Sequence, residues 1–112
     1  MEQITDRFKR SLDYAVTKIT QWEHRERILA VYLYGSYARN EQSADSDIDL
    51  YIQTDTKTDR KMIRELIVLC NPEDYRLPEV EVKVEQGVDS LMKNDLFHEN
   101  IRKDGILLWK RK

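Results

Sequence analysis

The sequence predicts an α/β (α+β) protein, a small mixed sheet of three to four strands covered by helices, and three observations carry that prediction. Apolar residues recur at spacings of three and four over residues 3 to 24. After its arginine, the run "RILAVYLYG" is continuously aliphatic or aromatic up to the glycine. "EVEVKVE", residues 79 to 85, alternates strictly between charge and valine. Helical and strand periods therefore interleave along one chain, the pattern of helices laid on a sheet.

In the first segment Ile4, Phe8, Leu12, Ala15, Ile19 and Trp22 form the stripe of an amphipathic helix, which must pack on something. "RILAVYLYG" follows as a buried strand. "SYARNEQ" reads as a short helix with Ser36 as its N-cap, since a serine oxygen there can accept from a free N–H of the first turn. "DIDLYIQT" is the second strand, with Asp47 and Asp49 on one face and Ile48, Leu50 and Ile52 on the other. Thr58 to Cys70 sets Met62, Ile63, Leu66, Ile67 and Leu69 among basic residues as another amphipathic helix, ended by Pro72 and Pro78 in "NPEDYRLP". In the third strand Val80, Val82 and Val84 face inward and the glutamates and lysine outward. From Val88 to Lys103 the composition is helical, Gly105 is its stop, and "ILLW" either adds a short strand or packs as a plug.

A length of 112 residues, with 40% hydrophobic and 36% charged, is enough for one core and a solvated exterior, so residues 1–112 are expected to form one domain. Nineteen Lys and Arg against 21 Asp and Glu leave a net charge of −2, which supplies no field for direct nucleic-acid or membrane binding. Lys57, Arg60, Lys61 and Arg64 read as a solvated helix face, and Lys110, Arg111 and Lys112 as a polar tail. The lone Cys70 lies in the apolar run "ELIVLC" and reads as a buried, inert thiol. With no signal-peptide core in "MEQITDRFKR" and no apolar run of membrane-spanning length, the expected location is the cytoplasm.

The chemistry is concentrated in "GSYARNEQSADSDIDLYI", residues 35 to 52. Side chains two apart on a strand point the same way at about 6.6 Å, and two carboxylates there repel by roughly 2.5 kcal/mol at an effective dielectric of about 20. A hard divalent cation offsets such repulsion, because Mg²⁺ favours carboxylate oxygens and keeps positions open for phosphate. Gly35 lets the backbone turn tightly beside a ligand, and Ser36 at a helix start offers N–H groups and a hydroxyl to an anion. A phosphate grip beside a carboxylate pair is the equipment for phosphoryl or nucleotidyl transfer. His24 and His98 have no ligand spacing to recommend them, Ser43 and Ser46 read as turn residues, and Trp22, Trp109 and the tyrosines read as core or interface residues. Among the aromatics Tyr37, next to the phosphate turn, stands nearest the chemistry.

Gly35-Ser36, ten intervening residues, then Asp47-Ile48-Asp49 resembles the signature of the polymerase-beta-like nucleotidyltransferase superfamily, and within it the minimal nucleotidyltransferases. The resemblance covers nearly the whole chain. It implies the nucleotidyltransferase fold, with Gly35 and Ser36 holding the nucleotide triphosphate and Asp47 and Asp49 binding two Mg²⁺ ions, ATP being the substrate. A third carboxylate then comes from a later strand. Glu81, between Val80 and Val82, takes the matching place as metal ligand or general base, with Glu79 on the same face as the alternative. Arg39 fits the arginine that often follows the turn and can pair with phosphate or with Asp45, and Asn40 stands where glycine is frequent, a position asparagine tolerates in a left-handed backbone.

The expected activity is transfer of AMP from ATP to a hydroxyl of another macromolecule, releasing pyrophosphate. For minimal nucleotidyltransferases the resemblance implies that the acceptor is a tyrosine of an all-helical HEPN-type toxin encoded nearby, which makes this chain the antitoxin. Two alternatives stand beside it: a weak or inactive binding module that covers its partner sterically, and a small-molecule (antibiotic) nucleotidyltransferase whose acceptor pocket a homo-oligomer would complete.

Overall fold

The computed structural model describes residues 4–111, so Gln3 of the expected first helix and Lys112 of the basic tail lie outside it, and only the backbone of Ile4 and Thr5 is described. Helix α1 (Ile4–Gln21) leads into a single 3-10 turn and strand β1 (Ile28–Tyr34), followed by the one-turn helix α2 (Gly35–Ala38) and strand β2 (Ile48–Thr54). Helix α3 (Arg60–Cys70) crosses to β3 (Val80–Gln86), after which come a second 3-10 turn, helix α4 (Leu96–Asp104) and β4 (Ile106–Lys110). The strand order is β3-β2-β1-β4, with β1 antiparallel to both β2 and β4 and β2 parallel to β3. The sheet is therefore mixed, and the α3 crossover is what parallel pairing requires.

The amphipathic stripes meet on one face of that sheet. Phe8, Ala15, Ile19 and Trp22 of α1 and the turn after it pack with Leu66 and Cys70 of α3 against Val31, Leu33, Ile48, Leu50, Ile52, Val80 and Val82. Each such aliphatic side chain taken fully out of water contributes about 1.5–3 kcal/mol. Cys70 is fully buried and its thiol is pushed up to about 12 by that burial, so the reading of an inert thiol holds. On the other face a smaller cluster joins Tyr51 to Leu91 and Ile101, with Tyr32 and Tyr34 packed on it.

Several expected boundaries move, each for a local reason. The first helix stops at Gln21 rather than residue 24, because Trp22 turns back into the core and the chain must reach the start of β1. Thr58 is buried, while Asp59 caps α3 by accepting from the Met62 N–H at 2.8 Å. The helix expected over Val88–Lys103 is shorter: Ser90–Met92 is a 3-10 turn and α4 starts after Asp95, whose carboxylate accepts from the His98 N–H at 2.9 Å. Gly105 ends α4 as expected, and a Cβ there would lie 2.4 Å from the Ile101 carbonyl oxygen. Of the two alternatives for "ILLW", the structure takes the strand, pairing β4 with β1.

Candidate active site

The site begins where β1 ends. Gly35 has φ +79°, a left-handed conformation that a side chain disfavours. A Cβ at Gly35 would stand 2.2 Å from Oδ2 of Asp49, so the glycine lets the turn lie directly against that carboxylate. The N-cap of α2 is Tyr34 without a side-chain cap bond, and the helix ends at Ala38, so the expectation of Ser36 as N-cap of a longer helix is corrected: the chain is already turning at Gly35. Ser36 lies in the first turn, half-buried, where N–H groups have no acceptor within their own helix. Asn40 takes φ 58°, the left-handed backbone expected of it. Ser43 and Ser46 form a turn, the Ser43 N–H donating to the Ser46 hydroxyl at 2.9 Å, which carries the chain back toward β2.

Asp47 is exposed just before β2, and Asp49 is half-buried one residue inside it. The parallel register pairs Asp49 with Glu81, and antiparallel β1 sets Tyr34 on its other side. That level is fixed by hydrogen bonds. The Ile48 N–H donates to the Glu79 carbonyl at 2.8 Å, and the Asn71 side chain grips Val80 at both backbone groups, accepting from its N–H at 2.8 Å and donating to its carbonyl at 2.9 Å. A buried Ser11 hydroxyl donates to the Pro78 carbonyl at 2.6 Å, tying α1 to the same loop.

The electrostatics report the same juxtaposition. The Asp49 carboxyl is held above the usual carboxylate range by burial, then by the charges of Glu81 and Asp47, while Arg39 opposes them. Burial, followed by the charges of Asp49 and Glu81, also pushes the Tyr34 hydroxyl up. Glu81 is the carboxylate of β3 level with Asp49, whereas Glu79 lies just before that strand. Arg39 does not pair with Asp45; its Nε stands 3.4 Å from Glu41 on the surface, and its positive charge acts on Asp49 without a direct contact. Tyr37 packs on Phe8, ring centroids 5.1 Å apart, which makes it a support of the turn.

The structure therefore brings Gly35, Asp47, Asp49, Glu81 and Arg39 to one corner of the sheet, with Ser36 in the adjoining turn. The three carboxylates do not converge as tightly as a preformed cage: among the described residues, the one group of three potential ligands whose atoms all lie within 4.8 Å is Glu23, His24 and Glu65, elsewhere in the molecule. The donor set of Asp47, Asp49 and Glu81 is all oxygen, with three carboxylates against the one opposing charge of Arg39, which fits a hard divalent cation such as Mg²⁺.

Sequence reasoning missed His98. It is buried, with Nδ1 2.7 Å from Asp95 and Nε2 2.5 Å from Glu85. Glu85, expected on an open charged face, also accepts from the Tyr51 hydroxyl and from Lys93, both at 2.8 Å. Ser90, buried, stands 2.7 Å from the Tyr51 oxygen and accepts from the Gln53 amide at 3.0 Å. This polar network clamps α4 and the 3-10 turn before it to the far stretch of the Asp49 face. Asp95 followed three residues later by His98 was the available sequence signal, an N-cap spacing.

Three comparisons with known proteins bear on this arrangement. The family model described as polymerase beta, nucleotidyltransferase matches residues 17–112. A protein of Methanocaldococcus jannaschii named as a candidate protein adenylyltransferase is 29% identical over 82 residues, 73% of this chain and 78% of its own. Among solved structures, a candidate nucleotidyltransferase of Sulfolobus solfataricus superposes with a TM-score of 0.65 at 18% identity, over 99% of this chain and 90% of its own. A toxin–antitoxin complex with AMP-PNP superposes at 0.55 and 22% identity, over 88% of this chain and 73% of that one. The toxin–antitoxin pair MntA–HpeT, in a mutant form, gives 0.56 at 20% identity, over 87% and 72%.

Proposed function

The chain belongs to the polymerase beta nucleotidyltransferase family, and from that premise we propose that it moves AMP from ATP to a tyrosine hydroxyl of a partner toxin of the HEPN type, acting as its antitoxin, with residues 1–112 serving as one minimal catalytic domain. The observation that carries the reading is the contact of Gly35 with Asp49: the backbone turn and the carboxylate corner are one packed unit, with Glu81 level with Asp49 on the next strand. The names of the relatives support the substrate and partner. One is named for protein adenylyltransfer, and others are toxin–antitoxin complexes, one of them with an ATP analogue.

In this reading Gly35 and Ser36 lie along the triphosphate, since a backbone free of a Cβ can approach it and the N–H groups of the turn donate to its oxygens. Asp47, Asp49 and Glu81 would hold the magnesium ions, which would supply charge neutralisation and alignment of the attacking and leaving oxygens. Arg39, on the surface beside the turn, adds positive charge for the phosphates. The acceptor oxygen forms its bond to the α-phosphorus as the bond to the bridging oxygen breaks, pyrophosphate leaves with that electron pair, and Glu81 takes the hydroxyl proton.

The test is transfer of label from α-labelled ATP with Mg²⁺ to the helical protein encoded beside this chain. Label on a partner tyrosine, absent with Asp49→Asn, is the expected result. If Asp47→Asn with Asp49→Asn still protects cells from the partner, the chain works by covering it and the catalytic reading fails.

A further inference from the structure

A second, chemically different ligand set lies at the opposite end of the sheet. β1 runs from Ile28, paired with Thr54, to Tyr34, paired with Asp49, so the turn before β1 is separated from the carboxylate corner by the length of that strand, about 20 Å at roughly 3.3 Å per residue. In that turn stand Glu23 and His24, and α3 presents Glu65 to them. One ligating atom of each, an imidazole nitrogen and two carboxylate oxygens, lies within 4.8 Å of the other two. The His24 Nε2 and Glu23 oxygen are already 3.1 Å apart.

These spacings suit a single small ion. Atoms bonded to a tetrahedral zinc at about 2.1 Å lie about 3.4 Å from one another, so the 3.1 Å between Glu23 and His24 is close to ligand spacing, and the Glu65 oxygen lies within 4.8 Å of both. The imidazole meets the Trp22 ring edge-on at 5.3 Å, and Trp22 itself is buried in the core. Glu65 is one residue from the fully buried Leu66, which anchors its helix. The two carboxylates balance a divalent charge, and a nitrogen donor favours zinc over the magnesium that an all-oxygen corner favours. Glu23 and Glu65 border an open hollow of about 590 Å³ that Trp22, Lys61, Arg64 and Val68 also line.

We propose that Glu23, His24 and Glu65 form a zinc site, separate from the nucleotidyltransferase corner, that clips the turn after α1 to α3. The experiment is calorimetric titration of the metal-free full chain with Zn²⁺, paired with Co²⁺ titration read by visible absorption. One ion per chain is expected, retained by the Asp47→Asn, Asp49→Asn double variant and weakened by at least about tenfold in His24→Gln and in Glu65→Gln. Circular dichroism in EDTA shows which variants fold, and Glu65→Gln, a partly exposed isosteric change, keeps the test available if His24→Gln does not. Zinc binding unchanged by both substitutions, lost in the double aspartate variant, or absent from the wild type at micromolar zinc overturns the assignment.

Discussion

Replacing Gly35 with alanine tests the packing on which the catalytic reading rests. The new Cβ would sit 2.2 Å from Asp49 Oδ2 and 3.0 Å from its Cγ, where ordinary contact begins above about 3.4 Å. Backbone and carboxylate must then separate by about 1 Å, and a misplacement of that size costs roughly 100-fold in rate. The left-handed φ adds backbone strain of about 1–2 kcal/mol, which for a chain of this size lowers Tm by several degrees. Gly87 supplies the control. Its φ is +101°, yet a Cβ there meets nothing within 4 Å. Thermal melting and AMP transfer should therefore dissociate: both alanine variants lose comparable stability, and only Gly35→Ala loses activity, by about 100-fold or more. Activity within about threefold of wild type in Gly35→Ala, or an equal loss in Gly87→Ala, refutes the argument that close approach to Asp49 is what the glycine provides.

Four further outcomes are expected. Glu81→Gln lowers AMP transfer by about 100-fold or more while Glu79→Gln stays within a few-fold, because Glu81 alone is level with Asp49; single-turnover assays of the pair decide it. Asp49→Asn abolishes transfer without lowering Tm at neutral pH, since burial and the charges of Glu81 and Asp47 disfavour the ionised carboxylate in the fold, and a clear drop in Tm would contradict that. Asn71→Ala leaves the Val80 N–H and carbonyl without partners, costing about 1–3 kcal/mol by urea unfolding and reducing activity through the displaced Glu81. For His98, burial lowers the pKa but hydrogen bonds from its ring to the Glu85 and Asp95 carboxylates outweigh that and raise it, so its contribution is complete below about pH 6.5 and lost as pH rises through the raised value. Glu85, despite burial, is held low by Lys93, His98 and Tyr51, and Asp95 by the His98 N–H and ring, so both contribute above the ordinary carboxylate range and fade as pH falls through their depressed values. Tm should thus plateau in mildly acidic solution, and His98→Gln should flatten the decline on the alkaline side.

The sheet and the carboxylate corner were legible because they depend on local pattern. The alternation of "EVEVKVE" puts Glu81 on the face opposite Val80 and Val82, and that of "DIDLYIQT" puts Asp49 opposite Ile48 and Leu50, although Asp47, expected on the same strand, lies just before it. What alternation does not tell is how much of a face another element will cover. Glu81 and Glu85 share one face, yet α4 closes over Glu85 and leaves Glu81 open, so the same periodicity yields one solvated carboxylate and one ion-paired beneath a helix. His98 was illegible for the same reason: its partner Glu85 lies 13 residues away on a different element. The extent of the helix over residues 88–103 was misjudged because composition there is helical throughout, whereas the Asp95 cap decides where the helix begins.

The parallel pairing of β2 with β3 makes the alignment of the corner self-checking. Sliding β3 by one residue would turn Glu81 into the valine-lined layer beneath the sheet and push Val80 and Val82 out toward water, so a misaligned carboxylate corner is also a misfolded core. Substitutions in the apolar layer can loosen this protein, but they cannot quietly retune the spacing of its acidic groups.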